Sequence, residues 1–360
     1  MYQERIDRVL AAMEAMGLEQ MLVSDPDSIW YLTGYDVFPF ERLYALYLRK
    51  DGKHKLFLNK LFPVPEAPYE QVWFSDTDDY LAILANAVDG EKDMGVDKDW
   101  PARFLLPLMA HNPSCRYVLA SDCVDDARAC KDAVERDLMR EASRINDVVM
   151  ERAAAYMKEG MTEREVARKL VASMAEHGAD LPGFIIVISG TGNYDRISAR
   201  PTDRIIRKGD LVWIDAGTTY KGYWTDWCRA GVVGKPSEEQ RRLQAIIHET
   251  TMLGAQTVAP GVPVGDIWRA CEKSMLAHGL PWSFDCGRAG HGVGLQLTEP
   301  PTIAPEDDTL LQPGMVITCE PGYCNDIGCF DIEENVLVTE TGYEVLSGAR
   351  RELYEIATDC

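Results

Sequence analysis

The chain has 360 residues, 46% apolar and 26% charged, which suits a soluble protein with room for two domains, each with its own core. Its net charge of −21 argues against nucleic acid or an anionic membrane surface as partner, since both draw affinity from basic side chains. No apolar run is long enough to span a bilayer, and the opening MYQERIDRVL is charged and amphipathic rather than a signal peptide, so a cytoplasmic location is expected. The ten cysteines show no CxxC pairing. Cys319, Cys324 and Cys329 recur at intervals of five, a spacing that fits no zinc pattern, so reduced thiols are expected.

In chain order, residues 4–17 place Ile6, Val9, Leu10, Met13 and Met16 on one helical face, ended by Gly17. The strand-like MLVS follows, then the turn residues Asp25-Pro26-Asp27 and the run IWYLTGY. Strand and helix patterns alternate to about residue 123 (YALYLR, KLFLN, YVLAS), which reads as a small α/β domain. A boundary at residue 125 separates domains 1–125 and 126–360, and a long helical stretch running to AAAYM starts beside it. Helices are then predicted over 163–177, 237–258 and 264–279. Gly160-Met161-Thr162-Glu163 and Pro260-Gly261-Val262-Pro263 look like matching turns about 100 residues apart, a faint mark of internal duplication.

Between these helices lie two acidic hairpins. In DLVWIDAG…GYWTDWCRA the midpoint is predicted between Tyr220 and Lys221, which sets Asp215 directly opposite Asp226 with Cβ atoms about 5 Å apart. In MVITCE…ENVLV the midpoint falls between Asp326 and Ile327, which sets Glu320 opposite Glu333. Facing acids repel unless a cation lies between them. Four carboxylates with the imidazole of Gly290-His291-Gly292 carry about −4, which two divalent ions roughly 3.5–4 Å apart would neutralise while sharing an activated water. Oxygen ligands with one histidine favour manganese, with zinc, cobalt or iron as alternatives. Taken singly, each hairpin could be a pair of solvated strand-end acids.

The segments PTDRIIRKGDLVWIDAG, GYWTDWCRAGVVG, GRAGHGVGLQLTEPP, LLQPGMVITCEPGY and DIEENVLVTETGYEVL resemble the creatinase/aminopeptidase P/prolidase family of M24 metallopeptidases. RIDRVLAAMEAMGLEQMLVSDPDSIWYLTGYD extends the resemblance to the N-terminal portion of two-domain members. It implies an α/β creatinase-like N-terminal domain followed by an α+β catalytic domain of the pita-bread fold. By resemblance Asp215 and Asp226 hold one metal, with Asp226 also reaching the second, His291 and Glu320 complete the shell of the second, and Glu333 bridges. Glu320 relays the proton of the attacking water.

The chain departs from the family pattern at three positions. Two histidines of the Xaa-Pro peptidases, which contact the reacting carbonyl or amine, align with Ser198 and Thr298, and a common arginine aligns with Asp331. Losing one such donor costs roughly 3–4 kcal/mol in comparable oxyanion sites, so peptide hydrolysis needs a substitute. Arg196 and Arg200, in the polar stretch before the first hairpin, are candidates to bind a substrate carboxylate, with Arg288 as another. Tyr35, in an aromatic cluster with Trp30, Tyr31, Phe38 and Phe40, is a further substrate-binding candidate, because by resemblance that region reaches the partner's site in a homodimer. A solvated loop and ordinary core packing are the plain readings of these two segments.

The expected function is that of a dinuclear metal-dependent hydrolase of a small amide or dipeptide, Xaa-Pro dipeptidase-like. The alternatives are a C–N hydrolase or lyase of a small non-peptide metabolite, and an inactive binding module, which would need none of the five ligands.

Overall fold

The Asp25-Pro26 pair that reads as a turn starts a helix instead. The Asp25 side chain accepts hydrogen bonds from the Asp27 and Ser28 amides, and Pro26 takes the first helical position, where a missing N–H costs nothing. The structure, a computed structural model, describes residues 2–180, 182–197, 199–282 and 287–358, and the chain divides into units Met1–Arg128 and Ala129–Cys360.

The first unit carries helices α1 (Gln3–Ala15), α2 (Pro26–Thr33), α3 (Tyr80–Ala87), α4 (Ala102–His111) and α5 (Asp122–Ala129). Its strands are β1 (Gln20–Val23), β2 (Ala45–Arg49), β3 (Lys55–Asn59), β4 (Glu70–Phe74), β5 (Met94–Val96) and β6 (Tyr117–Leu119), which form one mixed sheet in the order β4-β3-β2-β1-β5-β6. In α1 the buried stripe is Ile6, Val9 and Met13, whereas Met16 lies past the helix end and is exposed.

The stretch that reads as one long helix is broken. After α5 the chain restarts at α6 (Ala133–Tyr156), where Asp132 and Glu135 form a reciprocal capping box. The second unit continues with α7 (Glu163–Glu176), β7 (Pro182–Ser189), β8 (Leu211–Tyr220), β9 (Tyr223–Val233), α8 (Glu238–Thr257) and α9 (Val264–Ala277). Eight short strands complete it: β10 (His291–Gly292), β11 (Glu299–Thr302), β12 (Val316–Cys319), β13 (Gly322–Asn325), β14 (Gly328–Asp331), β15 (Glu334–Val338), β16 (Tyr343–Val345) and β17 (Tyr354–Ile356). They form sheets ordered β17-β9-β8-β7 and β11-β10-β12-β15-β16, plus the β13-β14 ribbon. Among the described residues no helix is long and apolar enough to cross a membrane.

The two halves of this unit repeat one another. Thr162, which caps α7, bridges to Ile205, and Pro263, which caps α9, bridges to Leu310. Ile205 and Leu310 each precede an acid by ten residues, Asp215 and Glu320 respectively. Cys324 and Cys329 lie directly opposite in β13–β14 with Cα atoms 4.1 Å apart and form a disulfide, contrary to the expectation that all thiols stay reduced.

Arg229 of β9 ties the two larger sheets together. Its buried guanidinium donates to the Cys228 and Glu333 carbonyls, both at 2.9 Å, and to the Glu334 carboxylate at 2.7 Å. Removing one partner of a buried ion pair strands the other charge. Arg229→Ala is therefore expected to cost about 3–5 kcal/mol, and Arg351→Ala, which removes a partly exposed second partner of Glu334, much less. Urea unfolding of both variants checks this; equal losses would refute the clamp.

Candidate metal centre

Lys221 and Gly222 both have positive φ, 48° and 80°, and form the two-residue turn that matches the twist of a hairpin. The turn is thus one residue later than the sequence suggests. Asp215 pairs with Cys228 and Asp226 pairs with Gly217, so the two acids are diagonal neighbours rather than directly opposed. A displacement of two along the partner strand preserves the face, whereas a displacement of one would have turned Asp226 away. In the second hairpin, β12–β15 and β13–β14 share one register, and Glu320 and Glu333 stand opposite each other in the gap between the two ladders.

His291 lies on β10, between β11 and β12. The flanking glycines are sterically required: a Cβ at Gly290 (φ 149°) would meet the Thr318 carbonyl at 2.2 Å, and one at Gly292 the Pro300 carbonyl at 2.2 Å. The ring Nδ1 lies 2.9 Å from the Gly292 carbonyl, so it carries the proton and leaves the Nε2 lone pair free. Nε2 lies 3.7 Å from both Asp226 Oδ2 and Glu320 Oε1. Burial, the largest effect, lowers the imidazole pKa to about 4, so the ring is neutral and able to ligate. Thr318 holds the region in place: its hydroxyl accepts from the His291 amide at 3.0 Å and lies 3.4 Å from Glu320 Oε1.

Two triads of potential ligands result. In each of Asp226–His291–Glu333 and Asp215–Cys228–Glu333, the donor atoms lie within 4.8 Å of one another, and Glu333 belongs to both. Asp226 and Glu333 are 4% and 1% exposed. Burial pushes the Asp215, Asp226 and Glu333 carboxyls well above their ordinary range, and neighbouring carboxylates add to the rise. Glu320 is raised by burial to about 7, with Arg288 and Thr318 holding it down. Asp215 Oδ1, Asp226 Oδ1 and Glu333 Oε1 are buried without a hydrogen-bond partner. Converging acids short of donors, beside a neutral imidazole, fit a pair of divalent cations.

Thr298 is exposed between β10 and β11, and Ser198 falls outside the described residues. Arg196 reaches Asn193 Oδ1 at 3.4 Å, and Arg200 lines an open groove with Arg164, Arg168 and Phe184. Tyr35 bonds within the first unit, its hydroxyl donating to the Pro65 carbonyl at 3.0 Å. Arg288 does act on the cluster, lowering the carboxyls of Asp226 and Glu320. Cys228 emerges as a neighbour of Asp215 only with the observed hairpin register.

Raised carboxyl pKa values mean that the metal-free folded chain binds protons more tightly than the unfolded one. These acids therefore favour the fold most at acid pH, and their contribution is lost as pH rises through the value near 7 of Glu320. Divalent metal competes with those protons, so its protection grows with pH. In chelator, Tm is expected to drop from about pH 5 to about pH 8, with metal closing the gap; a Tm indifferent to pH would contradict this account of the cluster.

The model for metallopeptidase family M24 matches residues 137–340, and that for the creatinase/prolidase N-terminal domain matches residues 5–130. Curated relatives include the Xaa-Pro dipeptidase of Pyrococcus horikoshii, 28% identical over 97% of this chain and 98% of the relative. The Xaa-Pro dipeptidase of Pyrococcus furiosus is 29% identical over 98% and 99%. Among solved structures, a prolidase from Thermococcus sibiricus superposes with TM-score 0.92 and 31% identity over 100% of this chain and 99% of that one. The dipeptidase PepE from Mycobacterium ulcerans gives TM-score 0.91 and 29% identity over 99% and 98%. The first unit is accordingly the creatinase-type α/β domain and the second has the pita-bread architecture of the prolidases: the chain belongs to metallopeptidase family M24.

Proposed function

We propose that this protein is a dinuclear metal-dependent dipeptidase acting on small substrates of the Xaa-Pro type, with Asp215, Asp226, His291, Glu320 and Glu333 as the metal ligands. Members of the family use a dinuclear divalent centre. The observation that carries the reading is the pair of buried ligand triads sharing Glu333. Manganese, zinc, cobalt and iron all suit carboxylate and imidazole donors.

Asp215, Asp226, His291, Glu320 and Glu333 would hold two divalent ions, which would supply Lewis acidity towards the scissile carbonyl and a water that is nucleophilic at neutral pH. Glu320 takes the proton of the attacking water and returns it to the leaving amine. Its partial exposure, 22% of the side chain, leaves it open to exchange with substrate. Neutral His291, locked through Nδ1, keeps Nε2 directed at the site. Arg288 supplies positive charge beside Asp226 and Glu320, which suits a substrate carboxylate. Ser198 and Thr298 replace the two histidine donors of the resembling peptidases, and Arg196, Arg200 and Tyr35 remain proposed substrate contacts. On the same resemblance the protein is read as a homodimer.

Two sets of variants test this. Asp226→Asn and Glu320→Gln should each lower metal affinity by at least the roughly 10–100-fold that outer-shell changes cost, and Glu320→Gln at saturating metal should still lower kcat about 10²–10⁴-fold. Metal analysis with kcat and KM on proline dipeptides reads both, and undiminished turnover in either variant refutes its role. Histidine introduced at both Ser198 and Thr298 is expected to raise kcat/KM on proline dipeptides. No rise would mean that these positions do not set the rate on such substrates.

A further inference from the structure

Cys228 is 1% exposed and stands directly opposite Asp215 in the β8–β9 ladder. Its Sγ lies 3.4 Å from Glu333 Oε2, and the thiol lies close enough to the Asp215 and Asp331 carboxyls to hold both of them down against the rise that burial imposes. A thiol has a single weak donor proton, which cannot satisfy three carboxyl groups. The shortfall is visible in the side chains around it: Asp215 Oδ1, Glu333 Oε1 and Asp331 Oδ1 are all buried without a hydrogen-bond partner. Asp331 is 2% exposed, and the sulphur it faces is a poor substitute for a cation. The carboxylate oxygens of Asp215 and Glu333 and the sulphur of Cys228 also lie within 4.8 Å of one another, the convergence a shared ion needs.

We propose that Cys228 is itself a metal ligand, its sulphur completing the position formed by Asp215 and Glu333 and making one half of the dinuclear centre a mixed oxygen–sulphur site. The proposal rests on the reading that metal occupies this cluster. On binding, the S–H bond breaks, its proton leaves to solvent, and a sulphur lone pair forms the bond to the ion. Asp331, against the sulphur and outside the two triads, is a positioning residue that holds the thiol toward Asp215 and Glu333. Thiolate ligation moves the preference of this position away from manganese toward zinc, cobalt or iron(II). The strand is held for this purpose, since the Cys228 carbonyl accepts from the buried Arg229 guanidinium.

The test uses the full chain, stripped with chelator and reloaded with cobalt(II). About two cobalt ions per chain and a near-ultraviolet thiolate-to-cobalt charge-transfer absorption are expected. Cys228→Ser should keep cobalt but lose that absorption, and its zinc-to-manganese affinity ratio should fall. Should the variant not fold, X-ray absorption of the zinc-loaded natural chain decides alone, by a sulphur scatterer at about 2.3 Å. Cobalt bound with only oxygen and nitrogen neighbours, or a band that survives in Cys228→Ser, overturns the thiolate ligand and leaves the metal centre standing. A chain that takes up no cobalt overturns both.

Discussion

Acidic side chains buried together with too few donors are the constraint around which the second unit is arranged. Asp215, Asp226, Asp331 and Glu333 each keep an oxygen without a partner, and burial holds their protons at pH values where exposed carboxyls are ionised. Such a cluster opposes folding unless a cation offsets it. The scaffold must therefore be stiff enough to hold the acids in place before metal arrives. Two cross-links between the sheets provide that stiffness. The Asn335 side chain accepts from the Asp226 amide at 3.2 Å and donates to the Asp226 carbonyl, and Arg229 reaches the Glu333 carbonyl. Both anchor backbone atoms of ligand residues, so the acids are positioned by the sheets rather than by one another.

The internal repeat shows how one site arises from two halves. Each half contains a helix whose N-cap residue bridges to a strand-like segment, and each then delivers an acid ten residues beyond that bridge. Neither half contains a whole ligand triad: Glu333 comes from the second half, whereas Asp215, Cys228 and Asp226 come from the first. The centre therefore exists only where the two halves pack, and its geometry reports their packing.

Much of this was legible in the sequence, because a period of two fixes which face a strand residue occupies. The Glu320–Glu333 register followed from the Asn325–Gly328 turn and agrees with the ladders. The first hairpin was misplaced by one turn residue, since Lys221 adopts a positive φ that its residue type does not favour. A shift of one turn residue leaves the faces unchanged but alters the partner, so Cys228 opposite Asp215 is visible only in the observed register. The helix starting at Pro26 was hidden because Asp-Pro serves equally well as a turn or as a cap. The break before α6 was hidden because the residues on both sides are good helix formers. The substrate contacts were the least legible. Arg196, Arg200 and Thr298 lie on irregular segments, where no repeating pattern ties side-chain direction to sequence.

The shared register of β12–β15 and β13–β14 has a practical consequence. The tip at Asp326 and Ile327 lies beyond the last paired residues, Asn325 and Gly328, and the ladders that orient Glu320 and Glu333 are complete before the chain reaches it. Extra length added there changes neither ladder, whereas one residue added to either arm would turn an acid outward. The tip is thus a natural grafting point for an epitope or a fluorophore that leaves the register of the two acids unchanged.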